Sequence, residues 1–138
     1  MQRKAKLIAT LTLCFLFMQV WSQLPTGAWS DHLPYGHGKK LAEFDNRIFC
    51  LTKDGSLYSY SVKDKSIKKH SKVNGLSDAA ISTIGASEST KTFLIGYQNG
   101  NIDLIRNDTV INIPDIKRKM IMGEKSINNV YFAGPYAY

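Results

Sequence analysis

Cysteine and histidine are scarce in this chain: 138 residues hold two of the first and three of the second. Cys14 lies in an N-terminal apolar run and Cys50 in a later one. A disulfide framework is therefore not expected, and Cys50 reads as a small buried hydrophobe rather than a nucleophile. His32 and His37 fall in a proline- and glycine-containing loop and His70 on an outer strand, with no acidic or cysteine cluster beside them to complete a metal site. The HExxH, CxxC, GxSxG and P-loop patterns are all missing. Carboxylates are also few, 11 against 18 Lys and Arg. Asp54, Asp103 and Asp108 sit in or beside turns, where bonding to the local backbone is the ordinary role. The expectation is no catalytic residue, no cofactor, no metal and no enzyme.

What is present begins with an export signal. Arg3, Lys4 and Lys6 precede an apolar run over 7–21, and Val20 and Ser22 supply the small residues of a cleavage site, so 1–22 reads as a secretory signal peptide. The run is too short to span a bilayer, which takes about 20 residues. Residues 11–13 lack the small residue that precedes a lipidated cysteine, so a lipid anchor is not expected. Removing three basic residues lowers the formal charge from +7 to +4. The remaining basic runs, 63–72 and 117–119, are broken by other residues and lack stacking aromatics. They read as solvated surface rather than a nucleic-acid footprint, and the mature part carries no expected transmembrane segment.

Short β segments follow one another through the rest. After an entry loop over 24–37, strands are expected over 41–45, 47–51, 56–62 and 67–72, with a turn at Asp54 and Gly55. In 56–62 the large residues partly alternate with serines, as on a half-exposed strand. Asn74 and Gly75 mark a turn between units. The order then repeats: strands over 81–86, 92–97, 101–106 and 109–113, with Asn99 and Gly100 as a two-residue hairpin turn needing positive φ, and Pro114 as a stop. Gly55 and Gly100 hold equivalent places 45 residues apart, and 81–86 matches 127–133 at a shift of about 46. A period of about 40–50 residues with four short strands is the mark of a propeller blade.

The fold class expected is therefore all-β: a β-propeller fragment of about two and a half four-stranded blades after the signal peptide, with blades over about 39–72, 79–114 and an incomplete 126–138. Two blades and a part cannot close a ring, so the chain reads as the N-terminal piece (23–138 of the mature part) of a longer product. Phe49, Phe93, Phe132 and Tyr97 are expected between blades, and Trp29, Tyr35 and Tyr58 offer an alternative as a glycan-stacking platform.

The segments 27–35 (GAWSDHLPY), 74–84 (NGLSDAAISTI) and 93–105 (FLIGYQNGNIDLI) resemble the N-terminal propeller of PorZ-type proteins of the type IX secretion system of Bacteroidetes. The looser GLSD-strand-Asn-Gly pattern is similar to the propeller repeats of two-component regulators; Gly96, Tyr97, Asn99, Gly100, Asn101, Ile102, Asp103 and Leu104 favour PorZ. The resemblance implies a non-enzymatic periplasmic or cell-surface module that works with attachment-complex proteins and anionic lipopolysaccharide as a protein- or glycan-binding scaffold. The alternative is the extracellular sensor propeller of a hybrid regulator binding an oligosaccharide. Thr109, after Asn107 and Asp108, resembles the Asp-Thr-aliphatic O-glycosylation acceptor of exported Bacteroidetes proteins; its plain role is the turn between a third and a fourth strand.

Overall fold

The structure is a computed structural model, described over residues 32–138. The signal peptide expected over 1–22 and the ring of Trp29 lie outside these residues. Among the described residues no helix is long and apolar enough to cross a membrane.

Eight strands form two antiparallel meanders. Blade one is β1 (Gly38–Phe44), β2 (Arg47–Thr52), β3 (Leu57–Ser61) and β4 (Ile67–His70), paired in that order. A single 3-10 turn, Lys72–Asn74, leads into blade two: β5 (Ile81–Ser87), β6 (Thr92–Tyr97), β7 (Ile102–Arg106) and β8 (Thr109–Ile113). A short helix α1 (Asp115–Arg118) follows Pro114, the residue expected to stop the last strand of blade two. The last elements, β9 (Phe132–Ala133) and β10 (Tyr136–Ala137), make a small hairpin.

The two blades repeat in detail. Each first strand is preceded by a left-handed residue, His37 (φ 53) or Ala80 (φ 56), and each carries a bulge at the same place, between Gly38 and Lys40 or between Ile81 and Thr83. A spacing of 43 residues therefore relates β1 to β5. It becomes 45 over β2 and β3, because the two-residue turn Asp45–Asn46 is replaced by the longer loop 88–91. Turn chemistry explains the ends of the strands. Asp45 and Asn46 (φ 50 and 56), like Asn107 and Asp108 (φ 49 and 57), have both central residues at positive φ, the type I′ geometry whose twist matches that of the paired strands.

The hairpin at Asn99 and Gly100 differs from the expected two-residue turn. Tyr97 N–H donates to Asn101 O at 3.0 Å and Gly100 N–H to Tyr97 O at 3.2 Å, so the loop is Gln98, Asn99 and Gly100, with positive φ at Gly100 (82°) and not at Asn99. This is a type I turn closed by a glycine bulge. Asp54 and Gly55 (φ 77) occupy the same loop in blade one, bonded alike through Thr52, Gly55 and Ser56. A side chain at Gly55 would also meet the Ile81 carbonyl oxygen at 2.9 Å, so the two blades touch at this glycine.

The core lies between the sheets. Phe44, Phe49, Leu51 and Leu57 of blade one meet Ile84, Phe93, Ile95 and Tyr97 of blade two, with Leu76 of the connection among them. Phe49 and Phe93 stack with ring centroids 4.2 Å apart. β3 alternates as a half-exposed strand, with the serines rather than the tyrosines sharing the inner face with Leu57: Leu57, Ser59 and Ser61 are buried and Tyr58 and Tyr60 half-buried. The serines face blade two because small hydroxyls fit between packed sheets when bonded. Ser59 Oγ receives Arg47 Nη1 at 3.0 Å and lies 2.8 Å from His70 Nε2.

The strand expected over 127–133 shrinks to Phe132–Ala133. In blades one and two the first strand is held by a long second strand; here the partner strand has two residues. The chain instead packs on the far face of blade two, over two glycines. A methyl group at Gly96 would lie 2.8 Å from Ile127 Cβ, and one at Gly85 2.8 Å from Val130 Cγ1. Ile127 is fixed there by two hydrogen bonds, its N–H donating to Tyr97 O (3.2 Å) and its carbonyl accepting from Ser82 Oγ (2.7 Å). Phe132, expected between blades, is half-buried over Gly85.

Candidate functional site

The polar residues that stand out in the sequence converge where the connection from blade one meets the β6–β7 hairpin. Gly75 (φ 103) closes the 3-10 turn, and Leu76 then turns inward to the core. That leaves the next two residues facing the hairpin. Ser77 N–H donates to Asp103 Oδ2 at 2.8 Å, and Tyr97 Oη donates to the same oxygen at 2.6 Å. Asn112 Nδ2 of β8 donates to Asp103 Oδ1 at 2.9 Å. Asp103 is fully buried as the second residue of β7, just past the hairpin loop, and both its oxygens are held by other segments rather than by the local backbone. Its neighbour's hydroxyl pays for this in acidity: burial, then the bond to Asp103 and its charge, push the Tyr97 phenol far above its usual range.

Asp78 makes the outer half of the clasp. Its Oδ2 receives Asn99 Nδ2 at 2.6 Å, Asn101 Nδ2 at 3.4 Å and the Lys117 ammonium from α1, while Ala79 N–H donates to Oδ1 at 3.0 Å. Burial opposes the charge, but the bonds from Lys117, Asn99 and Ala79 outweigh it and hold the carboxyl at about 2. Asn99 Oδ1 caps the loop by accepting Asn101 N–H at 3.0 Å. Gly100 is packed as closely: a side chain there would reach Ile116 Cγ2 and Lys125. Chemically, these two carboxylates are engaged by fixed donors from the connection, the hairpin, β8 and α1. The arrangement locks backbone segments together.

The remaining candidates are dispersed. Asn74 and Gly75 lie exposed at the turn between blades, and Asp54 is exposed on its hairpin. Thr109 is exposed as the first residue of β8, its Oγ1 donating to Asn107 O at 3.4 Å. Tyr35 and Tyr58 pack edge to face with centroids 6.2 Å apart, and Lys69 Nζ sits 4.6 Å over the Tyr35 ring. Cys50 is buried and free. Among the described residues no cluster of His, Cys, Asp or Glu could hold a metal ion. The Tyr97–Asp103 pair was missed in the sequence, yet its signal was there. A three-residue loop places residues six apart on one face as diagonal neighbours.

Two successive four-stranded antiparallel meanders, joined strand four to strand one and packed face against face, define a β-propeller module with open sheets. The chain belongs to the family "TSS9, PorZ, N-terminal beta-propeller domain", whose model matches residues 48–138, and it is thus a module related to type IX secretion. No curated protein matches the chain. Among solved structures it is similar to the computationally designed proteins Ika8 (16% identity, TM-score 0.47, over 70% of this chain and 28% of that one) and Ika4 (17%, 0.44, over 70% and 55%). The chain spans about a quarter of the first and about half of the second.

Proposed function

We propose that this module is a non-enzymatic scaffold of the type IX secretion and cell-surface attachment machinery, exported to the periplasm or outer surface, where it binds attachment-complex proteins or anionic lipopolysaccharide. The observation that carries the reading is what the family-typical residues do. Ser77, Asp78, Tyr97, Asn99, Asn101 and Asp103 bond one another and fix the connection to the hairpin. A family pattern spent on shape suits a protein selected for a rigid surface rather than for a reacting group. The test is to express the tagged chain with its leader in a type IX-competent host, fractionate the envelope, and titrate purified chain with anionic lipopolysaccharide. Envelope location with saturable binding to the lipopolysaccharide or to attachment-complex proteins is expected. Cytoplasmic retention without either partner would overturn the reading, as would a hydrolytic activity lost on substituting a single carboxylate.

A further inference from the structure

Between the blades, away from the clasp, lies a groove of about 240 Å3 with an apolar floor and a polar rim. Its floor is apolar: Phe44, Phe49, Leu76, Ile105 and Val110. Its rim on the blade-one side is cationic, with Arg47 of β2 and Lys68 of β4. Neither has an ion-pair partner among the described residues, where the two bridges are Lys91 to Glu88 and Lys117 to Asp78. Lys91 also borders the groove, already paired with Glu88; Asp45 and Asp108 border it from the turns.

His70 stands at the junction of rim and floor. Its ring packs on Phe49 with centroids 5.2 Å apart, and its Nε2 is 2.8 Å from Ser59 Oγ. Arg47 Nη1 donates to that same hydroxyl, so the hydroxyl's own proton is available to an unprotonated Nε2. A half-buried guanidinium with one N–H used, a lysine and a neutral imidazole thus converge above an apolar floor, and neither cation makes an ion pair among the described residues. Guanidinium offers a planar fork that fits a carboxylate, and the floor fits an apolar body behind it.

We propose that this inter-blade groove binds a carboxylate carried on a small apolar group, with Arg47 and Lys68 holding the anion and His70 adding a proton as it binds. The carboxylates of Asp45 and Asp108 at the rim disfavour a dianion, and the volume is below the roughly 300 Å3 of sites for drug-sized ligands. Proton uptake follows from the neighbours. Burial, then the charges of Lys68 and Arg47, hold His70 down at about 4, and an anion between them removes the repulsion. Binding therefore tightens as pH falls towards 5. The site stands independently of any role in secretion.

The probe is benzoate, followed by NMR on the whole chain. Addition of benzoate should raise the titration midpoint of His70 by about one pH unit and shift resonances of Phe49 and Ile105 saturably. Arg47→Met should weaken benzoate binding about tenfold or more with the melting temperature kept, while Lys53→Met, outside the groove, should change nothing. If Arg47→Met unfolds the chain, Lys68→Met gives the same reading with a smaller, roughly threefold loss. An unmoved His70 midpoint at saturating benzoate overturns the proposal. Inorganic phosphate binding tighter than benzoate at the same resonances also overturns it, in favour of a phosphoryl site.

Discussion

The two blades share strand order, bulges and hairpins, yet they satisfy their buried polar groups by opposite means. Blade one uses a serine hydroxyl between a guanidinium and an imidazole: Arg47, Ser59 and His70 in a row under the first sheet. Blade two buries an acidic side chain, Asp103, and surrounds it with donors from three other segments. At the positions equivalent to Tyr97 and Asp103, 45 residues earlier, blade one has Thr52 and Tyr58. Thr52 serves its own hairpin and the entry loop, accepting Ser56 N–H at 3.0 Å and donating to Pro34 O at 3.4 Å. A propeller repeat thus specifies geometry, and the polar chemistry inside each blade is set by what must be tied to it. Blade two is where the connection has to be held.

The contrast can be broken most severely at the surface the blades share. Phe93→Ala empties the stack against Phe49 and Phe44, and should cost about 3–5 kcal/mol, both blades losing protection together in hydrogen exchange. Separate melting of the blades would show that the interface does not couple them. Next comes Asp103→Ala, which leaves Tyr97 Oη and Ser77 N–H without the acceptor they share, while Asn112 Nδ2 keeps Asn101 Oδ1 and Ile102 O. A loss of about 3 kcal/mol is expected by denaturant titration, with exchange quickened first around 75–79. The corresponding Tyr58→Ala in blade one should leave the connection protected.

Smaller effects sharpen the comparison. Gly96→Ala places a methyl group against Ile127 and Thr83, so a loss of about 1–3 kcal/mol is expected, felt through 127–132 rather than through blade one. Acid separates the blades by pH. His70 is held neutral when folded, so the unfolded chain takes up its proton first and stability falls as pH drops from 6.5 to about 4. Asp78 is held ionised, so its contribution is intact above 3.8 and is lost as pH falls from there to about 2. Stability measured against pH should show both slopes, with His70→Phe removing the upper one and Asp78→Asn the lower. Least of all, Asn46→Gly, which suits a type I′ turn, should stabilise by about 0.5 kcal/mol, and Asp108→Gly should act in the same direction.

Much of the architecture was legible because it rests on local signals. Thr92–Tyr97 and Thr109–Ile113 are runs of β-formers bounded by turn residues, and their limits in the structure are those read from the sequence. The Gly55 to Gly100 spacing revealed the repeat. What stayed hidden depends on neighbours brought in from other segments. Ser59 and Ser61 look like an outward face until Arg47 and His70 are placed beside them, and Asp103 looks like a turn residue until Ser77 arrives from 26 positions away. The segment over 127–133 has the composition of a strand, but a strand needs a partner edge, and composition is silent on that. Within the clasp, Tyr97, Asn99, Asn101 and Asp103 could be picked out as distinctive without any sign that they face Ser77 and Asp78.

The change in spacing from 43 to 45 between the blades falls in the β1–β2 and β5–β6 connections, and a second change falls where the loop 62–66 is matched by Asn107–Asp108. In an antiparallel meander those connections share one end, opposite the end where the β2–β3 and β6–β7 hairpins keep the same three-residue loop. The module therefore has a permissive end and an invariant one. Foreign peptide, an epitope or a fluorophore-bearing cysteine placed within 62–66 or 88–91 should be accommodated without disturbing the clasp, which makes the variable end the natural handle for immobilising or labelling the protein while its built end stays native.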